Sequence, residues 1–268
     1  MQYEGVLNKM QTQLHDPIQY YLVFKDALIH FNQLLNKEIT ISHIGYTCLN
    51  CQKNKKIFRQ GFCYDCFMSS PAVGDWVMRP ELSKAHLGIA DRDLAFEQQV
   101  QLQPHIVYLA VASDVKVGVT RKTQVPTRWI DQGASLAIPV LEVPNRYLAG
   151  ITEVHLKQHF TDKTNWRKML QNEILDVNLN SILNKTSQYL PQEVQTFYEN
   201  TTHQILSLNY PVLKYPKKIS SLNLDKSPLF TGILTGIKGQ YLIFEDGTVF
   251  NIRSYEGYKV KININHIN

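Results

Sequence analysis

An α+β protein assembled from several small parts is the fold class this sequence predicts, and three observations carry the prediction. All four cysteines fall between residues 48 and 66. Two alternating, strand-like segments of similar pattern stand at opposite ends of the chain. Between them runs a strand, turn, strand, short helix, strand series followed by a largely helical stretch. The 268 residues, 44% of them apolar, suffice to bury a core and to divide into one large or two to three small domains. No apolar run has membrane-spanning length, and the opening MQYEGVLNKM mixes polar with apolar residues instead of forming a signal sequence, so the expected location is the cytoplasm. The net charge of +5 suits a polyanionic partner but equally suits many enzymes.

The cysteines Cys48, Cys51, Cys63 and Cys66 are spaced as two C-x2-C knuckles. Such a pair brings four thiolates tetrahedrally around one Zn²⁺, and a closed four-sulfur shell leaves no position for water or substrate, so the expected role is structural. Four unrelated thiols or two disulfides are the alternatives, which an intracellular chain with no other cysteine disfavours. Lys53, Lys55, Lys56 and Arg59 lie in the same stretch, where they offset the negative charge of a zinc tetrathiolate.

Near the start, YEGVL (3 to 7) precedes QYYLVFKDALIHFN (19 to 32); near the end, FTGIL (230 to 234) precedes GQYLIFEDGTVFN (239 to 251). Each set ends in an alternating strand, KEITI (37 to 41) and YKVKI (258 to 262). Period two makes these strands, and the shared Gly, Asp and Phe-Asn positions predict a repeat, against the alternative of two unrelated meanders drawing on the same β-formers. Two three-stranded units could then combine into one small barrel or sandwich, because an isolated small sheet cannot bury its apolar face.

In the middle, HIVYLAVA and VKVGVT flank a Ser-Asp turn; a helix is expected around Pro126 to Gln132, closed by Gly133, and LAIPVLEV supplies a third strand. From Tyr147 to about Asn209 the pattern is mostly helical, with breaks near residues 161 to 164 and near Pro191. Alternation puts Tyr108 on one face of its strand, and Lys116 with Gly118 on one face of the next. Ala149, Glu153, Leu156 and Phe160 recur at helical spacing, and a carboxylate inside that stripe needs a partner, either a metal or Arg128, unless it reaches solvent at the stripe's edge. An exposed pair between Arg128 and Asp131 is the alternative for the arginine. His155 and His159 have no third ligand at matching spacing and are expected at the surface, while Trp129 and Trp166 are expected in the core.

Val107-Tyr108, Lys116-Val117-Gly118, Arg128 and Glu153 together resemble the GIY-YIG nuclease superfamily, in which two short motifs on adjacent strands are followed by a helix bearing an Arg and a later helix bearing a metal-binding Glu. The resemblance covers about residues 105 to 170. It implies a small antiparallel sheet with flanking helices, a catalytic set of Tyr108, Lys116, Arg128 and Glu153, one Mg²⁺ or Mn²⁺ on Glu153, and Asn165 as the final polar residue. Lys116 stands where the second motif has a Tyr. The strings KVGVTRKTQVPTRWIDQGA and DKTNWRKML also look like an uncharacterised bacterial family catalogued as a domain of unknown function. The implied layout is the N-terminal half of a β-module at 1–45, a four-cysteine zinc module and connector at 46–100, a GIY-YIG-like domain at 101–185, a helical linker at 186–215 and the C-terminal half of the β-module at 216–268.

Phosphodiester hydrolysis needs an activated water and a charge sink for the transition state, tasks that a divalent metal, an Arg and a phenol or ammonium can divide. The first functional expectation is therefore a zinc-containing, metal-dependent nuclease. The second is a non-catalytic DNA- or RNA-binding protein on the same scaffold, holding phosphate with Lys116, Arg121, Lys122 and Arg128. The third is a zinc-stapled protein-interaction scaffold.

Overall fold

The computed structural model describes residues 1–160 and 165–265; the expected helix break at residues 161 to 164 lies outside them. In chain order the strands are β1 (Gln2–Val6), β2 (Gln11–Gln13), β3 (Gln19–Val23), β4 (Leu28–His30), β5 (Glu38–Tyr46), β6 (His105–Val111), β7 (Val115–Arg121), β8 (Leu136–Val143), β9 (Leu206–Ser207), β10 (Ser220–Ser221), β11 (Leu229–Lys238), β12 (Tyr241–Phe244), β13 (Thr248–Asn251) and β14 (Tyr258–Asn265). The helices that position the candidate sites are α1 (Tyr64–Ser69), α2 (Asp75–Met78), α3 (Leu94–Gln101), α4 (Thr127–Asp131) and α5 (Arg146–Leu156). The protein is thus a mixed α+β chain with several small sheets. It divides into two compact units, Met1–Ser69 with Ile130–Gly133 and Leu208–Asn268, and Ser70–Trp129 with Ala134–Ser207. Among the described residues no helix is long and apolar enough to cross a membrane.

The first unit holds the first and last strands in one open sheet of order β1-β14-β5-β11-β12-β13-β10, with a separate three-stranded sheet β2-β3-β4. These strands close no barrel. The two similar segments are related through the central antiparallel pair β5 and β14, and each first strand pairs with the last strand of the other copy. Tyr3 lies opposite Ile262 as Phe230 lies opposite Ile41, and Gly5 opposite Val260 as Gly232 opposite Ile39. The bonds beyond the strand ends repeat as well. Leu7 N–H donates to Tyr258 O at 2.8 Å and Leu234 N–H to Lys37 O at 3.0 Å, while Gly257 N–H donates to Leu7 O and Asn36 N–H to Leu234 O, both at 2.8 Å. Asn36 and Gly257, at corresponding turns, both have positive φ (59° and 85°), which Asn and Gly tolerate best.

One sequence correspondence shifts. The turn after Phe244 is a residue longer than the turn after Phe24, so Leu22 faces Ile29 where Leu242 faces Phe250. Phe31-Asn32 and Phe250-Asn251 are therefore not equivalent. Asn32 accepts from Tyr20 N–H, whereas Asn251 caps the following 3-10 turn at Ser254.

The shared glycines have a packing reason. A Cβ on Gly5 would stand 2.3 Å from the Phe24 ring, and one on Gly232 would stand 2.9 Å from the Phe230 ring and 3.1 Å from that of Phe244, which corresponds to Phe24. Close approach of an aromatic ring, not backbone conformation, excludes a side chain there.

In the second unit β6 is the centre of an antiparallel sheet of order β7-β6-β8-β9, and every residue of β6 is buried. One face carries Val107, Leu109, Val111 and Val117, which pack with Ala149 and Leu156 of α5. Gly150 lets α5 approach the backbone of Pro80 and Glu81, since a Cβ would come within 2.2 Å of Glu81 N. α4 lies where a short helix was expected, and Gly133 ends it with φ of 70°.

The two glycines should differ in their tolerance of a side chain. Gly5→Ala, which drives a methyl into Phe24, should lower stability by about 1–3 kcal/mol, and Gly232→Ala by less. Phe24→Leu placed on Gly5→Ala should recover part of the loss. Urea unfolding measures all three, and equal losses at the two glycines would contradict ring contact as the cause.

Candidate functional site

The cysteine loop grows directly out of β5. Thr47 N–H donates to Gly257 O and Leu49 N–H to Gly61 O, so the first knuckle is fixed to the turn that leads into β14 and to the second knuckle at once. Gln52 (φ 58°) and Gly61 (φ 78°) make the two reversals, and α1 carries Cys66. The four sulfurs lie within 4.8 Å of one another, with Cys51 Sγ and Cys63 Sγ 4.0 Å apart. Cys63 N–H donates to Cys48 Sγ at 3.3 Å. Burial opposes ionisation of Cys48, but the backbone N–H groups of Cys63, Cys51 and Asn50 outweigh it and bring the thiol down to about 6. Asn50 favours the Cys66 thiolate, yet burial and the three neighbouring thiols push Cys66 up to about 11. Four thiolates cannot share so small a volume without a cation, and the donor set suits a structural metal ion such as zinc.

The residues predicted for a second centre divide between two faces. Tyr108 is buried, opposite Gly118, and a Cβ on that glycine would stand 2.6 Å from the Tyr108 hydroxyl. The glycine thus makes room for the phenol. Lys116, opposite Ala110, shares that face, and the Trp129 ring lies 5.8 Å from the Tyr108 ring. α5, which bears Glu153, covers the other face. Glu153 is buried, 3.5 Å from Lys157 Nζ; burial raises its carboxyl above the usual range, with Lys157 and then Arg146 opposing. Arg121, at the end of β7 opposite His105, belongs to the face covered by α5. Lys122 pairs with Glu142 at 2.9 Å. Asp131 pairs not with Arg128 but with Lys9 at 2.9 Å and Gln240 at 2.8 Å. Asn165 serves as the cap of the helix Trp166–Leu170, accepting from the N–H groups of Arg167 and Lys168. His155 is exposed, and His159 stacks on Tyr189 at 3.6 Å.

Arg146 was not singled out in the sequence, although a cation in a helix's first turn opposes the helix dipole and is a legible oddity. Its guanidinium donates to the carbonyls of Trp76 at 3.0 Å and Val77 at 2.8 Å, joining α5 to the end of α2. Burial lowers it to about 10; Glu153 opposes that shift, while Arg121 and Arg128 add to it. Glu153, Arg121 and Arg128 thus each act on the charge of Arg146. His105 is also buried there. Its Nδ1 bonds the Gln103 carbonyl at 2.7 Å, its Nε2 has no partner, and burial pushes it down to about 4.

Fold and site define a mixed α+β protein with a four-cysteine cluster able to hold a structural metal. The chain belongs to the family described as "Protein of unknown function (DUF2797)", whose model matches residues 36–260. No curated protein and no solved structure matches it.

Elemental analysis should find one Zn²⁺ per chain. Cys63→Ser should cost soluble protein as well as metal, since structural zinc contributes on the order of ten kcal/mol to small domains. Well-folded protein without metal would overturn this.

His105 sets a pH dependence. Its folded value of about 4 lies below the ordinary 6.5, so between these values the unfolded chain binds more protons and stability rises with pH. About 3 kcal/mol should be lost as pH falls across that window. Denaturation of His105→Gln across the same range should show a flatter profile than the parent.

Proposed function

We propose that this is a zinc-stapled nucleic-acid-binding protein whose cysteine loop presents the binding surface. The observation that carries this reading is an exposed aromatic pair set among cations. Phe58 and Tyr64 are 46% and 59% exposed, their rings meet edge to face at 5.2 Å, and the Arg59 guanidinium lies 5.3 Å from the Phe58 ring centre. Lys53 and Lys56 are exposed in the same loop. Lys55 is engaged elsewhere, bonded to Asp65 at 2.6 Å. Exposed rings offer bases a stacking surface, and flanking Lys and Arg neutralise phosphates. The metal's part is to hold the loop's shape.

A metal-dependent nuclease using Mg²⁺ or Mn²⁺ is the second reading. Glu153, Arg121 and Arg128 each act on the charge of Arg146, which favours it, because a carboxylate for a metal and guanidiniums for a phosphate are what the reaction needs. The positions of Tyr108 and Lys116 across the sheet from α5 count against it.

Fluorescence anisotropy with single-stranded and duplex DNA and RNA, over a salt series, tests the binding reading. Phe58→Ala and Tyr64→Ala should each weaken single-strand binding by about 1–3 kcal/mol, and Lys56→Ala should reduce the salt slope. No salt-dependent binding, or binding indifferent to both aromatic substitutions, would defeat the proposal. Cleavage in Mg²⁺ or Mn²⁺ that Glu153→Gln abolishes would establish the nuclease reading.

A further inference from the structure

The two copies of the β-module differ at one strand edge, which the nucleic-acid reading does not use. β4 ends the three-stranded sheet β2-β3-β4, and among the described residues no strand pairs with its outer side. Its counterpart β13 has both sides occupied, because β10 runs parallel to it on the side away from β12. The pairing of Val23 with Leu28 corresponds to that of Ile243 with Val249. Ile243 and Val249 are fully buried, whereas Val23 and Leu28 are 38% and 62% exposed. An aliphatic pair that one copy buries therefore stands bare in the other, on a strand whose edge is open. On the opposite face Leu22 and Ile29 are buried, as Leu242 and Phe250 are. The small sheet is thus packed on one side and lacks cover only here.

In the C-terminal copy residues 212–222 supply the missing strand. Val212 bridges Gly236, Leu213 N–H donates to Thr235 O at 2.8 Å, Ser220 N–H to Gly247 O at 3.1 Å and Leu222 N–H to Val249 O at 2.9 Å. Leu28 offers what Val249 offers. Phe24 N–H donates to Ala27 O, and bonded and open pairs alternate along an antiparallel ladder, so the N–H and O of Leu28 point away from β3. The charges correspond as well. Lys217 and Lys218 lead into β10, and Gly247, which lies against Lys218 O, follows the acidic pair Glu245 and Asp246. In the N-terminal copy the exposed Asp26 stands in the equivalent turn.

An open edge is a template for one more strand, with main-chain bonds supplying affinity and side chains supplying specificity. We propose that the β4 edge takes up an extended segment of a partner protein, parallel to β4 as β10 is parallel to β13, in which a basic residue precedes the aliphatic positions. The basic flank meets Asp26, and an aliphatic side chain covers Val23 and Leu28.

The test titrates the intact ¹⁵N-labelled, metal-replete protein with the peptide YPKKISSLNL, the sequence of residues 215–224, up to millimolar concentration. The expected result is a saturable shift of the Leu28 amide with slower hydrogen exchange there, and neither with a peptide whose Ile and Leu residues are replaced by Ser. Leu28→Lys, which changes an exposed side chain and leaves the pairing with β3 intact, should weaken binding by about tenfold or more. Asp26→Asn should weaken it by about threefold and lessen its salt dependence, as the loss of an exposed ion pair does. No saturable shift, shifts centred on Val249 because the peptide only replaces β10, or affinity unchanged in folded Leu28→Lys would overturn the proposal. A concentration-dependent dimer that Leu28→Lys disperses would assign the edge to a second copy of this chain and overturn it as well.

Discussion

The antiparallel pairing of β5 with β14 is the constraint on which the first unit depends. Neither copy of the repeat completes a sheet alone, because its first strand finds its partner in the other copy. β1 lies on β14 and β11 lies on β5, so each unpaired edge is covered by exchange. Joining segments more than two hundred residues apart costs less than that separation suggests, since loop-closure entropy grows only with the logarithm of length. The same pairing brings the start of β1 beside the end of β14, with the Met1 amino group donating to Ile264 O at 2.8 Å.

The cysteine loop inherits its position from that pairing. It leaves the end of β5 and is held at Gly257, the turn that leads into β14. A Cβ on Gly257 would stand 2.6 Å from Ile57 Cδ1, so this glycine serves the turn's positive φ and the loop's close approach together. A metal at the four sulfurs would order a loop whose apolar support is otherwise small, chiefly Phe62. Lys53, Lys56 and Arg59 stand exposed on that loop, while Lys55 bonds Asp65 and the Phe58 ring packs edge to face on Tyr64 and Phe67.

In the second unit the comparable organiser is α5. One side of it closes the sheet's core through Ala149 and Leu156, and another carries Arg146 and Glu153 toward α2 and the Pro80 turn. Arg146 holds the carbonyls that end α2. The buried charge there is spread over opposed groups, so Glu153 is not left as an isolated carboxylate.

The sequence by itself determined whatever depends on neighbours along the chain. The cysteine cluster was legible because C-x2-C spacing fixes two ligands locally, and the repeated pattern was legible because Gly5 and Gly232 each leave room for an aromatic ring. Strand alternation likewise put Tyr108, Lys116 and Gly118 on one face. Tertiary structure decided the rest. A helical stripe tells that Glu153 faces a core but not which side of the sheet that core lies on, and α5 crosses the side away from Tyr108. Period two tells that β1 and β11 are strands but not that they trade partners, because hydrogen bonds between strands carry no mark in either strand's sequence. The extra residue after Phe244 shifted the match at Phe31-Asn32, which register resolves and pattern does not. The open edge at β4 is visible only in three dimensions, since whether a strand's edge is covered depends on what every other segment brings to it.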